Sequence, residues 1–141
     1  PLVAGLVFTL VFCSWHFPIL YEWALRDRAV HVLEHLSMLG TSFLMLWAIF
    51  GDSKYLKRIP WGMQMLYIFV LMVAQIPLFA FLAFADHVLY PTYEYAPRLF
   101  VGLGPLEDQI MGALLMKVAN MILSLVLIGR AFYQWNQEQK N

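Results

Sequence analysis

Charge is what this sequence has least of. Only 13% of its 141 residues are charged, where a soluble domain carries about 25%. The nine acids and nine bases cancel to a net charge of zero. A chain with no basic excess has no electrostatic footprint for nucleic acid, so nucleic-acid partners are excluded as a class. There is one cysteine, Cys13, so no intramolecular disulfide can form. No nucleophile–base arrangement can be named, and we expect no enzyme. The sequence also lacks an initiator Met. It opens at Pro1 inside an apolar run, and we expect an upstream part to precede it.

What is abundant is apolar: 62% of the residues are hydrophobic, and the charges fall between long apolar runs. That pattern predicts an all-α, polytopic membrane helix bundle, a single domain with four transmembrane helices in the lipid bilayer. The spans are expected at about 2–16, 29–50, 61–85 and 108–128. Pro18 ends or kinks the first. Tyr21-Glu22-Trp23 then has the aromatic character of a membrane interface, within a loop over 17–28. Gly51-Asp52-Ser53 stops the second span, and Pro60 suits the first turn of the third. Pro77 should kink the third span, with Gln75 satisfying freed groups or packing on a neighbour. Residues 86–107 are too polar and too broken to cross, and long loops of that kind are more often functional than idle. The last helix should run on to Trp135.

Lys54, Lys57, Arg58, Arg130 and Lys140 fall on one side of this topology, against Arg26, Arg28 and Arg98 on the other. The positive-inside rule then puts the 51–60 loop and the C-terminus in the cytoplasm. The loops at 17–28 and 86–107 face outward.

All four histidines gather at that outer rim: His16 closes the first span, His31 and His35 open the second, and His87 follows the third. His31 and His35 stand at i, i+4, on one helix face, with Glu34 on its flank. Imidazole with thiolate or thioether suits copper, and imidazole with carboxylate suits zinc or iron. Glu34, Asp86 and Asp108 can act as ligands or as acceptors that fix the imidazole tautomers. The same pair also fits plain hydrogen bonding to headgroups or water. Met38, Met45, Met111, Met116 and Met121 read as packing residues, and Cys13 as a small buried hydrophobe. Haem ligation needs facing histidines, and no facing pair is evident. Lys117 lies about 13 Å into the fourth span, where a charge must face the bundle interior, backbone carbonyls or a partner.

Four blocks together resemble the CtaG family, integral-membrane assembly factors of caa-type cytochrome c oxidase. They are Trp15-His16-x-Pro18-x-x-Tyr21-Glu22-x-Ala24-Leu25; His31-x-x-Glu34-His35; Leu89-Tyr90-x-x-Tyr93; and Asp108-Gln109 followed by Gly112 and Met116. The resemblance covers most of the chain. It implies a protein of the bacterial plasma membrane that helps mature the oxidase, with oxidase subunits or other respiratory-chain membrane proteins as partners and copper as the metal. His16, His31, Glu34, His35 and Asp108 match family positions; His87 lies just before the third block. We take the metal set as His16, His31, His35, His87, Glu34 and Asp108. Two departures stand out: the family normally has further histidine-bearing N-terminal spans, and an aromatic residue where Lys117 stands. The alternative is a permanent accessory subunit of a respiratory oxidase or supercomplex, without metal chemistry.

Overall fold

The computed structural model describes residues 1–51, 53–55, 57–98 and 102–140. Asp52, expected in the stop after the second span, and residues 99–101 of the long loop lie outside them. The described residues form seven helices: α1 (Leu2–Trp15), α2 (Pro18–Arg26), α3 (Arg28–Phe50), α4 (Trp61–Ala74), α5 (Ile76–Ala83), α6 (Pro91–Glu94) and α7 (Pro105–Glu138). The fold is all-α, and its long apolar helices make it a multi-pass membrane protein.

Three segments are long and apolar enough to cross a bilayer: α3, α4 with α5, and α7. At 1.5 Å per residue, α3 reaches about 34 Å, matching a hydrocarbon core of about 30 Å. The first expected span behaves differently. α1 has 14 residues, which give about 21 Å, so it is too short to cross alone. α2 continues it after a 71° bend, and the pair makes a fourth crossing only as one broken span. Pro18 sits at the first position of α2, where its missing N–H costs nothing. The same chemistry starts α7 at Pro105, three residues before the expected boundary.

The break in the third span falls at Gln75. Pro77 offers no N–H to the Val73 carbonyl, and the Gln75 N–H donates to that carbonyl instead. The Gln75 side chain then accepts from Asn120 Nδ2 of α7 at 2.7 Å, and Ser124 Oγ donates to Asn120 Oδ1 at 3.3 Å. Lys117 Nζ donates to the Met72 carbonyl at 3.3 Å, which gives the intramembrane lysine a backbone acceptor within the chain. These contacts tie α7 to the break.

The bundle has two distinct ends. At one, Arg58 and Arg130 lie over the Trp61 ring at 4.0 and 5.3 Å, Arg130 lies 4.8 Å from the Phe50 ring, and Trp61 Nε1 donates to Glu138 at 2.7 Å. Nearby, Ile49 packs with Ala48, Tyr67 and Ile68 in a buried cluster. The other end holds the start of α3, the close of α1 and α5, and the start of α7. Its cluster joins Leu78, Leu82, Tyr90 and Ala113.

Candidate metal centre at the histidine end

The α3 helix begins with a side-chain cap. Asp27 Oδ1 accepts from the backbone N–H of Ala29 at 2.7 Å and of Val30 at 3.2 Å. This satisfies two of the donors that a helix start leaves open. It also fixes the turn that carries His31, whose N–H donates to the Asp27 carbonyl at 2.9 Å.

Three residues come together on that turn and the next. His31, Glu34 and His35 each offer a ligand atom, and these atoms lie within 4.8 Å of one another. The rings of His31 and His35 stand 4.5 Å apart between centroids. Glu34 Oε2 lies 3.7 Å from Nδ1 of both histidines. That is too long for a hydrogen bond but close enough for attraction to a protonated ring. The histidine side chains are 50% and 63% exposed, while the Glu34 side chain is 9% exposed. A buried carboxylate thus sits under two accessible imidazoles. It is also within electrostatic reach of the Tyr21 phenol.

The chemistry of this donor set fits a metal ion. His35 Nδ1 lies 3.0 Å from the His31 carbonyl. A carbonyl only accepts, so Nδ1 carries the proton and Nε2 keeps its lone pair for a metal. Ligand atoms about 2 Å from one ion stand within about 4 Å of each other. The group, within 4.8 Å, lies somewhat wider than that.

The other expected ligands sit elsewhere at the same end. His87 Nδ1 is 2.6 Å from Asp86 Oδ1, an exposed pair in the loop after α5. That hydrogen bond holds the Asp86 carboxyl below its usual range. His16 and Asp108 line a separate cavity of about 230 Å³. Neither belongs to the three-residue group, nor does His87.

Loop-to-helix bonds build the cavity. Tyr90 hydroxyl donates to the His16 carbonyl at 2.7 Å, and burial pushes its phenol up to about 12, so it remains a donor. Gln109 Oε1 accepts the Leu89 N–H at 2.8 Å. The Tyr21 and Tyr93 hydroxyls meet at 3.0 Å. Glu22 accepts from Thr92 Oγ1 at 2.6 Å and from its N–H at 3.1 Å, strapping α2 to α6. Sequence reasoning missed Asp27 and Thr92. An Asp just before an apolar helical run is a cap signal and was there to be read. Thr92 carries no local signal, since its partner is 70 residues away.

An all-helical membrane bundle with a histidine–carboxylate group at one end is the class of protein these features define. More particularly, the chain belongs to the cytochrome c oxidase caa3 assembly factor family (Caa3_CtaG), whose family model matches residues 1–138. No curated protein and no solved structure matches it. The family is one of assembly factors for cytochrome c oxidase.

Proposed function

We propose that this chain supports cytochrome c oxidase assembly by handling copper at His31, Glu34 and His35. The observation that carries the reading is the convergence of three ligand atoms within 4.8 Å on one capped helix start. Copper here is cargo, so accessible imidazoles suit the task better than a closed cage. His31 and His35 bind the ion, and Glu34 supplies the negative charge that favours a cation between them. The role is non-catalytic. The site faces outward from the bacterial plasma membrane, with the 51–60 loop and the C-terminus in the cytoplasm, as the lysines and arginines favour. Oxidase subunits are the partners.

Copper content of the purified chain, with and without the His31→Ala and His35→Ala pair, tests this. The wild type should carry copper under replete conditions and the double variant should lose the histidine-bound fraction. Equal copper in both would overturn the reading.

The alternative of a permanent structural subunit drew partly on Lys117 as a group in need of a partner. The Met72 carbonyl accepts from it within the chain at 3.3 Å, which weakens that motive.

A further inference from the structure

The loop between α3 and α4 lies at the other end of the bundle, and it closes the end of α3 with its own backbone. Gly51 N–H donates to the Trp47 carbonyl at 2.7 Å, Ile59 N–H to the Ala48 carbonyl at 3.0 Å, and Arg58 N–H to the Gly51 carbonyl at 2.9 Å. Basic side chains often bind the last carbonyls of a helix. Here backbone N–H groups meet two of the last four. The Lys54 and Lys57 ammonium groups have no hydrogen-bond or ion-pair partner among the described residues. The Arg58 guanidinium lies 4.0 Å over the Trp61 ring. Such stacking uses the guanidinium face and leaves its N–H edge for hydrogen bonds.

These three bases, with Ser53, line a concavity of about 410 Å³. A second groove, of about 530 Å³, is lined by Phe43, Leu46, Trp47 and Phe50 of α3 and also reaches Ser53. An apolar groove on a membrane-spanning helix therefore runs into a basic cup at the helix end. Gly51 lets the Trp47 ring lie against the chain there, since an added Cβ would collide with it. The positive-inside rule accounts for bases in such a loop. It does not ask for a cup continuous with an apolar wall. Over 51–60 the sequence sets three bases against Asp52, a net charge of +2. Glu138, the acid of α7 at this end, accepts from Trp61 and lines neither surface.

We infer that the cup and the groove together bind one anionic phospholipid, its phosphate on Lys54, Lys57 and Arg58 and an acyl chain along Phe43, Leu46, Trp47 and Phe50. A phosphate meets three cations in the cup, and the chain below it meets only apolar side chains. A zwitterionic lipid brings a choline ammonium to the same cations, which repel it, so the site selects a headgroup of net negative charge. Exposed Tyr55 beside the cup has the aromatic character of headgroup depth. The inference is independent of the copper reading and of which membrane face the loop occupies.

The test reconstitutes the full chain in phosphatidylcholine vesicles at low salt. Part of the lipid is replaced by phosphatidylglycerol or phosphatidylcholine brominated on the acyl chains, whose bromines quench nearby tryptophan. Brominated phosphatidylglycerol should quench at the lower mole fraction, and that preference should largely disappear in Trp47→Phe. Lys54→Gln and Lys57→Gln should each weaken it about 5-fold, and Lys57→Arg should keep it. Lys140→Gln removes a charge at the same end but outside the cup, and should leave the preference unchanged. Inorganic phosphate at constant ionic strength lacks the acyl chain and should not displace the lipid. Circular dichroism confirms the helical fold of each variant. Equal quenching by the two lipids in the parent chain would overturn the inference. So would a preference that survives Trp47→Phe or the two lysine substitutions, one that Lys140→Gln weakens as much as Lys57→Gln does, or displacement by phosphate alone.

Discussion

The hydroxyl of Tyr90 is bound to the backbone carbonyl of His16 at 2.7 Å, across 74 residues of sequence. The bond crosses from the long loop to the C-terminal end of α1 and holds one wall of the cavity against another. Tyr90→Phe removes the donor and leaves that carbonyl with one partner fewer. It should cost about 1–2 kcal/mol and speed hydrogen exchange at the end of α1. Unchanged stability and exchange would show that packing of the ring alone secures the loop.

Asp27 caps the helix start that carries His31 and His35. Asp27→Ala should cost about 1 kcal/mol through loss of the cap. It should also weaken copper binding at His31 and His35, because their turn frays. Asp27→Asn keeps a capping oxygen and should restore both. Calorimetric or chelator-competition titration of the three chains separates the cap from a charge effect.

Glu34 is buried beneath two exposed rings, so its charge acts at close range. Glu34→Gln preserves shape and removes the charge. Copper affinity at the α3 group should fall by about 10–100-fold, with the helix content unchanged. A fall of less than threefold would make the two imidazoles sufficient by themselves.

The exposed Asp86–His87 pair offers a check on pH. The hydrogen bond from His87 holds the Asp86 carboxyl below its usual value. Its contribution is therefore present above the ordinary carboxyl range and is lost as pH falls through the lowered value. His87→Asn should move the Asp86 titration upward, toward the ordinary range, as followed by carbon-13 carboxyl shifts. No movement would dissolve the pair.

Gln75 and Asn120 mark the break in the third span. Asn120→Leu removes the 2.7 Å bond to Gln75, and should cost about 0.6–1.7 kcal/mol, the range for interhelical bonds in membranes. Stability in a denaturant titration reads this directly.

The features legible in the sequence are those whose physics is local. Pro18 and Pro77 announced breaks because neither has an N–H to donate. His31, Glu34 and His35 were legible as a group because three and four residues span one helical turn. The α1 crossing was legible in part: the short run and the break at Pro18 were expected, but not that α1 and α2 cross only together, as one span bent by 71°. The other residues of the expected metal set lie apart from that group. His16 and Asp108 lie 92 positions apart in the chain and meet only through the packing of α1 against the loop and α7. No periodicity encodes that meeting. Met116 packs against the cluster of Leu78, Leu82, Tyr90 and Ala113, as its reading as a packing residue expects.

The histidine–carboxylate group and the cavity therefore come into being at different times. The α3 group needs only Asp27 to His35, and it exists once that helix start has emerged and closed its cap. The cavity needs His16, Tyr90 and Met116 together, so it is assembled only when the last helix has joined the bundle. A nascent chain holding three-quarters of its length already carries the histidine–carboxylate group and lacks the cavity.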